Sequence, residues 1–454
     1  MAVIAGQTPT LKPSRRRAKP RVVVKFRPEV QLPYSSKAQA TIADREGRRW
    51  ARLQAETPGL RLRPYFSTIG QSKIRALSSR AGAAPPVNAN FESYFVIECP
   101  SVQSAGRAAA NIAEWPNVEA AYVEAGPVPP PVNPTDDPRS MGQGYLDSAP
   151  AGIDARWAWL HADGSGVGFI DLERGWTLDH EDLKGAEISI ISGLSKDFHG
   201  HGTAVLGEVT AVDNKLGGIG IAPGAHTRVC SQWRTASIYN TAEAILSAAS
   251  VMDAGDVLLL EAQTSYPTAS GFLPVEVELA VFDAIRFATE QGIVVVEAAA
   301  NGAVDLDAFE DTNGKTILNR GSADFRDSGA IMVGAASSTK PHQRLAFSNF
   351  GSRIDCFAWG QDIDTCGDGW IGTTTNAYIT GFGGTSGASP IITGAALILQ
   401  SLRAASSSVK YSPSELRKLL SDAALNTKSA LPAADRIGVM PNLHAIIAQE
   451  TGSS

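Results

Sequence analysis

From Ile153 onward, short runs of wholly apolar residues alternate with helical stretches, and this alternation restricts the fold more than any other feature of the chain. Gly168-Phe-Ile-Asp171, Asp256-Val-Leu-Leu-Leu260, Gly292-Ile-Val-Val-Val296 and Ala330-Ile-Met-Val-Gly334 show no in-and-out polar alternation. Such strands are buried on both faces, as in a parallel sheet covered by helices. Residues 242–252 and 275–292 supply helices between them. Ser412-Pro-Ser-Glu415 reads as a capping box that starts a late helix, and residues 443–449 end the fold. The expected class is α/β, in three layers around a mainly parallel central sheet. Hydrophobic residues make up 43% of the chain and charged residues 19%, which excludes a disordered polymer. No apolar run reaches the length of a membrane span; residues 388–402 come nearest, but they carry Ser, Thr and Gln and read as a buried helix.

The first third is organised differently. Residues 1–20 read as a disordered basic tail containing Arg15-Arg16-Arg17. Arg21-Val-Val-Val-Lys-Phe-Arg27, Ser93-Tyr-Phe-Val-Ile-Glu98 and Val118-Glu-Ala-Ala-Tyr-Val-Glu124 read as strands. Between them lie helices over 38–55, with Ile42, Trp50 and Leu53 facing a core, and over 104–114. This order predicts a small α+β domain of ferredoxin-like type over 21–125. Residues 126–150 follow as a proline-rich linker, and the main domain occupies 151–454. Residues 1–125 hold 19 basic and 9 acidic side chains, against 21 and 37 in the remainder. A basic first part tethered to an acidic second part should be attracted to it. A basic tail that merely inflates the count is the plainer alternative, and no nucleic-acid partner is expected.

Three motifs carry chemistry. Gly166-Val-Gly-Phe-Ile-Asp171 ends an apolar strand on a carboxylate, Gly200-His201-Gly202-Thr203 opens a helix-like run, and Gly383-Gly-Thr-Ser386-Gly-Ala-Ser-Pro390 sets a serine before a long apolar helix. Singly, the aspartate also suits a helix cap and the histidine a structural role. Carboxylate, imidazole and hydroxyl in this chain order resemble the triad of subtilisin-like serine proteases, the subtilase family or peptidase S8. The resemblance implies Asp171, His201 and Ser386 as catalytic residues, and Asn301 of Glu297-Ala-Ala-Ala-Asn301-Gly302 as the oxyanion donor, an Asn-Gly turn being the alternative. It also implies that the glycines around His201 and Ser386 admit substrate backbone, and that Pro390 sits in the first turn of its helix. A substrate wall is implied at Glu261, Ala262, Gln263 and Thr264, with Ala300 and Gly302 beside it. Residues 21–125 resemble the family's inhibitory propeptide, which makes the chain a zymogen.

Several departures qualify this. Relatives carry a small residue and then a glycine after the catalytic aspartate, whereas this chain reads Asp171-Leu-Glu-Arg-Gly-Trp176. Ala300 stands where relatives have glycine, and Glu261-Ala-Gln-Thr264 is bulkier and more polar than their Ser-Leu-Gly-Gly. The prolines of 127–138 suit a scissile segment poorly, so self-processing is expected either downstream, at residues 139–145, or not promptly. Asp305, Asp307, Glu310 and Asp311 form a solvated acidic loop, a selector for a basic substrate residue or a calcium site. No cofactor is expected to be required. Cys356 and Cys366 are spaced for a local disulfide, and Cys99 and Cys230 read as buried thiols. The first thirty residues lack the apolar core of a secretory leader, so a cytoplasmic location or export without a cleaved signal peptide is expected. The function implied is peptide-bond hydrolysis through an acyl-enzyme on a protein or peptide substrate, by a monomer with its own propeptide as inhibitor in cis. The alternatives are a slowly turning over peptide-binding regulator and an acyl-transfer enzyme (esterase or ligase) using the same triad.

Overall fold

The computed structural model describes residues 19–57, 59–81, 90–124, 132–407 and 409–451. The chain divides into two compact units between Pro130 and Pro131. In the first, β1 (Arg21–Phe26), α1 (Ala38–Glu56), β2 (Leu62–Pro64), α2 (Gln71–Ala81), β3 (Tyr94–Glu98), α3 (Val102–Ala113) and β4 (Val118–Glu124) build an antiparallel sheet in the order β2-β3-β1-β4. Val22, Val24 and Phe26 alternate from β1 into a core with Ile42, Trp50 and Leu53 of α1 and Ala105, Ala108 and Ile112 of α3. β2 and α2 were not expected. A three-residue edge strand ending in proline, and a helix in which Ile74 is the one buried apolar side chain among the described ones, leave almost no periodic signal. Of the tail over 1–20, all but Lys19 and Pro20 lies outside the described residues.

The second unit opens with α4 (Ala155–Ala158), β5 (Gly168–Glu173), β6 (Ser189–Ser192), α5 (His199–Thr210), β7 (His226–Ser231), α6 (Thr241–Ala249) and β8 (Val257–Leu260). A hairpin of β9 (Gln263–Thr264) and β10 (Leu273–Pro274) leads to α7 (Leu279–Glu290), β11 (Val294–Ala298), β12 (Ile331–Ala336) and β13 (Cys356–Trp359). A second hairpin, β14 (Ile363–Cys366) with β15 (Tyr378–Phe382), precedes α8 (Thr385–Ser407). The chain ends with α9 (Pro413–Ser421), β16 (Thr427–Lys428), α10 (Pro432–Asp435), β17 (Val439–Met440) and α11 (Leu443–Thr451). Nine strands form one sheet in the order β16-β17-β13-β12-β11-β8-β5-β7-β6. Every neighbouring pair is parallel except β16 with β17. The expected three layers are present. Phe169 of β5 faces one core with α5 and α8, whereas Ile170 and Leu172 face a second core with α6 and α7.

After β5 the chain winds to one side through β6 and β7, then crosses to β8, β11 and β12 on the other. The crevice outside the carboxyl ends of the strands at such a reversal is where an open α/β sheet gathers functional groups. The last residue of β5, the residue after β8 and the loop after β11 all open there.

Two boundary expectations do not hold. Of the proline-rich segment expected as a linker over 126–150, residues 126–131 lie outside the described residues. From Val132 on it is packed into the second unit, where Val132 lies against the main core, Arg139 pairs with Asp364, and Tyr145 and Leu146 are buried. Residues 139–145, expected to be a processing site, form two short 3-10 turns with Ser140 and Gln143 buried. The peptide bonds there are not in the extended form that a protease cleft accepts. Cys356 and Cys366 do not pair: Cys356 Sγ contacts the Leu420 carbonyl and Cys366 Sγ faces Asp182, and both are buried thiols.

Candidate active site

Alternate residues of a strand share a face, so Asp171 and Glu173 point the same way from β5, toward α5. They have different partners. Asp171 is buried and its Oδ2 accepts from Trp176 Nε1 at 2.6 Å, while its Oδ1 has no partner among the described residues. Glu173, one pleat further on and the last residue of the strand, accepts from His201 Nδ1 at 2.7 Å. The expectation of Asp171 as the carboxylate on the imidazole is therefore wrong: β5 runs two residues longer, and the longer glutamate side chain reaches the ring. The signal was in the sequence, since the glycine expected shortly after the carboxylate is Gly175, two residues beyond Glu173. Nothing larger fits at Gly175, where a Cβ would press on the Asp197 carbonyl.

His201 is the third residue of α5 and only 7% exposed. Trp370 stacks on its ring at 4.9 Å between centroids, and Phe382 meets it edge-on at 5.4 Å. Sequence reasoning missed both aromatics; an exposed tryptophan in the glycine-rich run Gly367-Asp-Gly-Trp-Ile-Gly372 was the available hint. Gly200 and Gly202 serve packing rather than substrate, because a Cβ on either would collide with the backbone of Gly369 or Gly175. Burial disfavours charge on both partners of the contact, pushing the Glu173 carboxyl well up and the imidazole down to about 4, with Glu261 pulling the imidazole partly back. With Nδ1–H donated to a Glu173 carboxylate, Nε2 keeps the lone pair that a general base needs.

Ser386 is the second residue of α8, where backbone N–H groups have no intrahelical acceptor. Asn301 follows β11. Its Oδ1 accepts from Thr385 N at 2.9 Å and from Thr385 Oγ1 at 3.2 Å, which fixes the amide so that Nδ2 is the outward donor. A methyl group placed on Gly384, whose φ is +88°, would lie 3.3 Å from Asn301 Nδ2 and 3.6 Å from Ser386 N. The Asn301 amide and the Ser386 N–H therefore flank the same small space beside Gly384. Pro390 is the sixth residue of α8, not in the first turn as expected. It removes the N–H that would bond the Ser386 carbonyl four residues back. Ala300 has φ +74°, which explains glycine at this place in relatives; an alanine there costs about 1–2 kcal/mol.

The expected substrate wall divides. Glu261, Ala262 and Ala300 are buried, and Glu261 reaches beneath α8 to Ser389 rather than lining a cleft. Gln263, Thr264 and Gly302 are half-buried. Gln263 Oε1 accepts from Asn301 N at 3.1 Å, and Thr264 Oγ1 donates to Glu278 at 2.6 Å. A cavity of about 350 Å³ opens beside Asn301 and Gly384, walled by Phe347, Trp370, Ile379 and Phe382.

The acidic loop offered for a cation does not fit one. Asp305 and Asp307 are ion-paired with Arg436 at 2.6 and 2.9 Å, and Asp311 caps its own turn at Asn313 and Lys315. Asp136, Asp137 and Asp213 present carboxylate oxygens within 4.8 Å of one another. Oxygens of Asp136 and Asp137 there are buried without a partner among the described residues, and these three suit a hard divalent cation better. Helix α8 has the length and apolarity of a membrane span, but 78% of that stretch is buried inside the fold.

Residues 192–439 match the subtilase family, peptidase S8. Subtilisin DY of Bacillus licheniformis is 31% identical over 268 residues, 57% of this chain and 83% of that protein. An intracellular serine protease of Paenibacillus polymyxa is 26% identical over 276 residues, 56% of this chain and 72% of that protein. Among solved structures, a protease of Pseudoalteromonas arctica PAMC 21717 shares the fold with a TM-score of 0.52 at 22% identity, over 70% of this chain and 99% of that one. The chain belongs to the subtilase family of serine endopeptidases.

Proposed function

We propose that peptide hydrolysis by this subtilase runs through an acyl-enzyme on Ser386, with His201 as general base and Glu173, not Asp171, as the carboxylate that orients it. Ser386 Oγ attacks the scissile carbonyl while His201 Nε2 takes the hydroxyl proton. Asn301 Nδ2 and the Ser386 N–H receive the negative charge that forms on the carbonyl oxygen. The C–N bond then breaks as His201 returns the proton to the leaving amine. Water repeats the sequence on the ester, releasing the acid and regenerating the serine. Glu173 holds the Nδ1–H tautomer throughout and stabilises the imidazolium between transfers. The family needs no cofactor for this chemistry. The observation that carries the assignment is the 2.7 Å contact between Glu173 and His201 Nδ1.

The substrate is a polypeptide. The cavity walled by Phe347, Trp370, Ile379 and Phe382 suits an apolar side chain close to the cut bond. Residues 21–125 form an inhibitory propeptide; what supports this is that the first unit has a core of its own and carries the basic excess. Labelling with a fluorophosphonate tests the nucleophile: adduct formation on Ser386 that is lost in Ser386→Ala and blocked by a peptide substrate is the expected result. An unlabelled wild type that still binds peptides would instead indicate a binding protein.

A further inference from the structure

The residue after β8 is Glu261, 7% exposed and without a role in the reaction as written above. One carboxyl oxygen, Oε1, meets Ser389 Oγ, one turn beyond Ser386 on α8. Ser389 Oγ also lies 2.7 Å from the Thr385 carbonyl. A hydroxyl has one proton to give, and a carbonyl oxygen only accepts. The back-bond to the residue four earlier is the ordinary use of a helical serine, so the proton of Ser389 is spent on Thr385. The contact with Glu261 then lacks a proton unless the carboxyl supplies it.

Two further observations agree. Glu261 Oε2 is buried with no partner among the described residues. A full charge stranded there costs far more than the carbonyl oxygen of a neutral acid. The titratable groups around it are Asp171 and Glu173 on β5 and His201 and Glu208 on α5, with Arg174 reaching only as far as Glu173 and His201. Ligand atoms of Glu261, Glu173 and His201 lie within 4.8 Å of one another. A second carboxylate at that distance would over-stabilise the imidazolium and weaken its return of the proton to the leaving group.

We propose that Glu261 is a positioning residue that works as a neutral acid: it donates its proton to Ser389 Oγ, pinning the first turns of α8 under Ser386 without adding a second negative charge beside His201. This rests on Ser386 and His201 being nucleophile and base. Burial pushes the Glu261 carboxyl well up, in keeping with the role.

The test compares Glu261→Gln with Glu261→Ala. An amide donates to Ser389 and does not ionise. Glu261→Gln is therefore expected to keep kcat within about threefold of wild type at pH 6, and to lack any alkaline decline that ionisation of Glu261 causes in wild type. Glu261→Ala is expected to lose about tenfold or more at every pH, the weight of one buried hydrogen bond. Equal losses in the two variants, or a Glu261→Ala profile that superposes on wild type, would overturn the proposal. Infrared difference spectra of wild type against Glu261→Gln at pH 7 decide the protonation state without relying on activity. Loss of a carboxylic-acid carbonyl band is expected, and loss of a carboxylate band instead would overturn it. A wild type that a fluorophosphonate does not label would count against the assignment of Ser386, while the infrared result would still decide the state of Glu261.

Discussion

The second unit buries two clusters of charged side chains and treats them in opposite ways. In one, Arg353 is wholly enclosed. Its Nε and Nη2 meet Glu276 at 2.6 and 2.9 Å, its Nη1 meets Asp355 at 3.0 Å, and the Ala330 carbonyl and Ser328 hydroxyl take further bonds. Arg320 adds a second cation to Asp355 at 2.6 Å. In the other, Glu173 and Glu261 stand beside one imidazole with Asp171 and Glu208 next to them, and buried oxygens of Asp171, Glu208 and Glu261 have no partner among the described residues. A compensated cluster of this kind holds strands and loops together. An uncompensated one is costly to keep, and that cost is tolerated where the shifted protonation states do chemistry. Glu297, buried beside Glu276 with its Oε2 unpartnered among the described residues, is the exception in the first cluster; what separates the two is the wholly enclosed arginine that the first cluster has and the second lacks.

The sharpest way to break this contrast is within β5, where two carboxyls share a face and only one touches the ring. Glu173→Gln removes the carboxylate that orients the imidazole and is expected to lower kcat by about 10⁴-fold, the size of the corresponding Asp→Asn change in another serine-protease triad. Asp171→Asn keeps an acceptor for Trp176 Nε1 and is expected to cost less than about tenfold. Steady-state kinetics on one peptide substrate read both variants. A larger loss in Asp171→Asn would return the role to Asp171.

This pair also shows how far the sequence could be read. The places of Ser386 and His201 near the starts of α8 and α5 were legible because each stands in a local run of small residues whose type and spacing are dictated nearby. The carboxylate was not, because β5 is apolar on both faces and gives no mark of where it ends. Asp171 looked terminal, and only the position of Gly175 argued otherwise. The same limit explains Glu261. A residue after a buried strand reads as a cleft wall, and nothing local says that α8 lies over it. The main sheet was legible because its strands are long and continuous. β2 was lost because three residues ending in proline carry no period, and the fate of residues 132–150 because packing against Asp364, more than 200 positions away, leaves no local trace.

The compensated cluster is tested by removing its cation. Arg353→Leu strands the carboxylate of Glu276, leaves Asp355 with Arg320 alone, and is expected to destabilise by about 3–5 kcal/mol. Denaturant unfolding in a Ser386→Ala background, which avoids self-digestion, measures it. Replacing Glu276 and Asp355 by apolar residues in the same protein should recover much of the loss. A loss below about 1 kcal/mol would mean that water reaches the site and that the two clusters do not differ in kind.

The uncompensated cluster is tested most gently at Glu208, whose two carboxyl oxygens are both unpartnered and which makes no contact with His201 in the structure. Burial holds its carboxyl well above the ordinary range. The folded protein therefore keeps a proton that the unfolded chain releases above about pH 4.3. Folded protein binding the extra proton means that stability falls as pH rises from that point toward the folded value. Glu208→Gln carries no such proton, so its advantage over wild type should grow from pH 5 to pH 8, by up to about 1.4 kcal/mol per pH unit. Glu261, which interacts with Glu208, is the one other carboxyl whose titration the substitution also alters. Melting curves at the two pH values suffice. A flat difference would mean that Glu208 is hydrated or ionised in the folded state, and the contrast would then rest on Asp171, Glu173 and Glu261 alone.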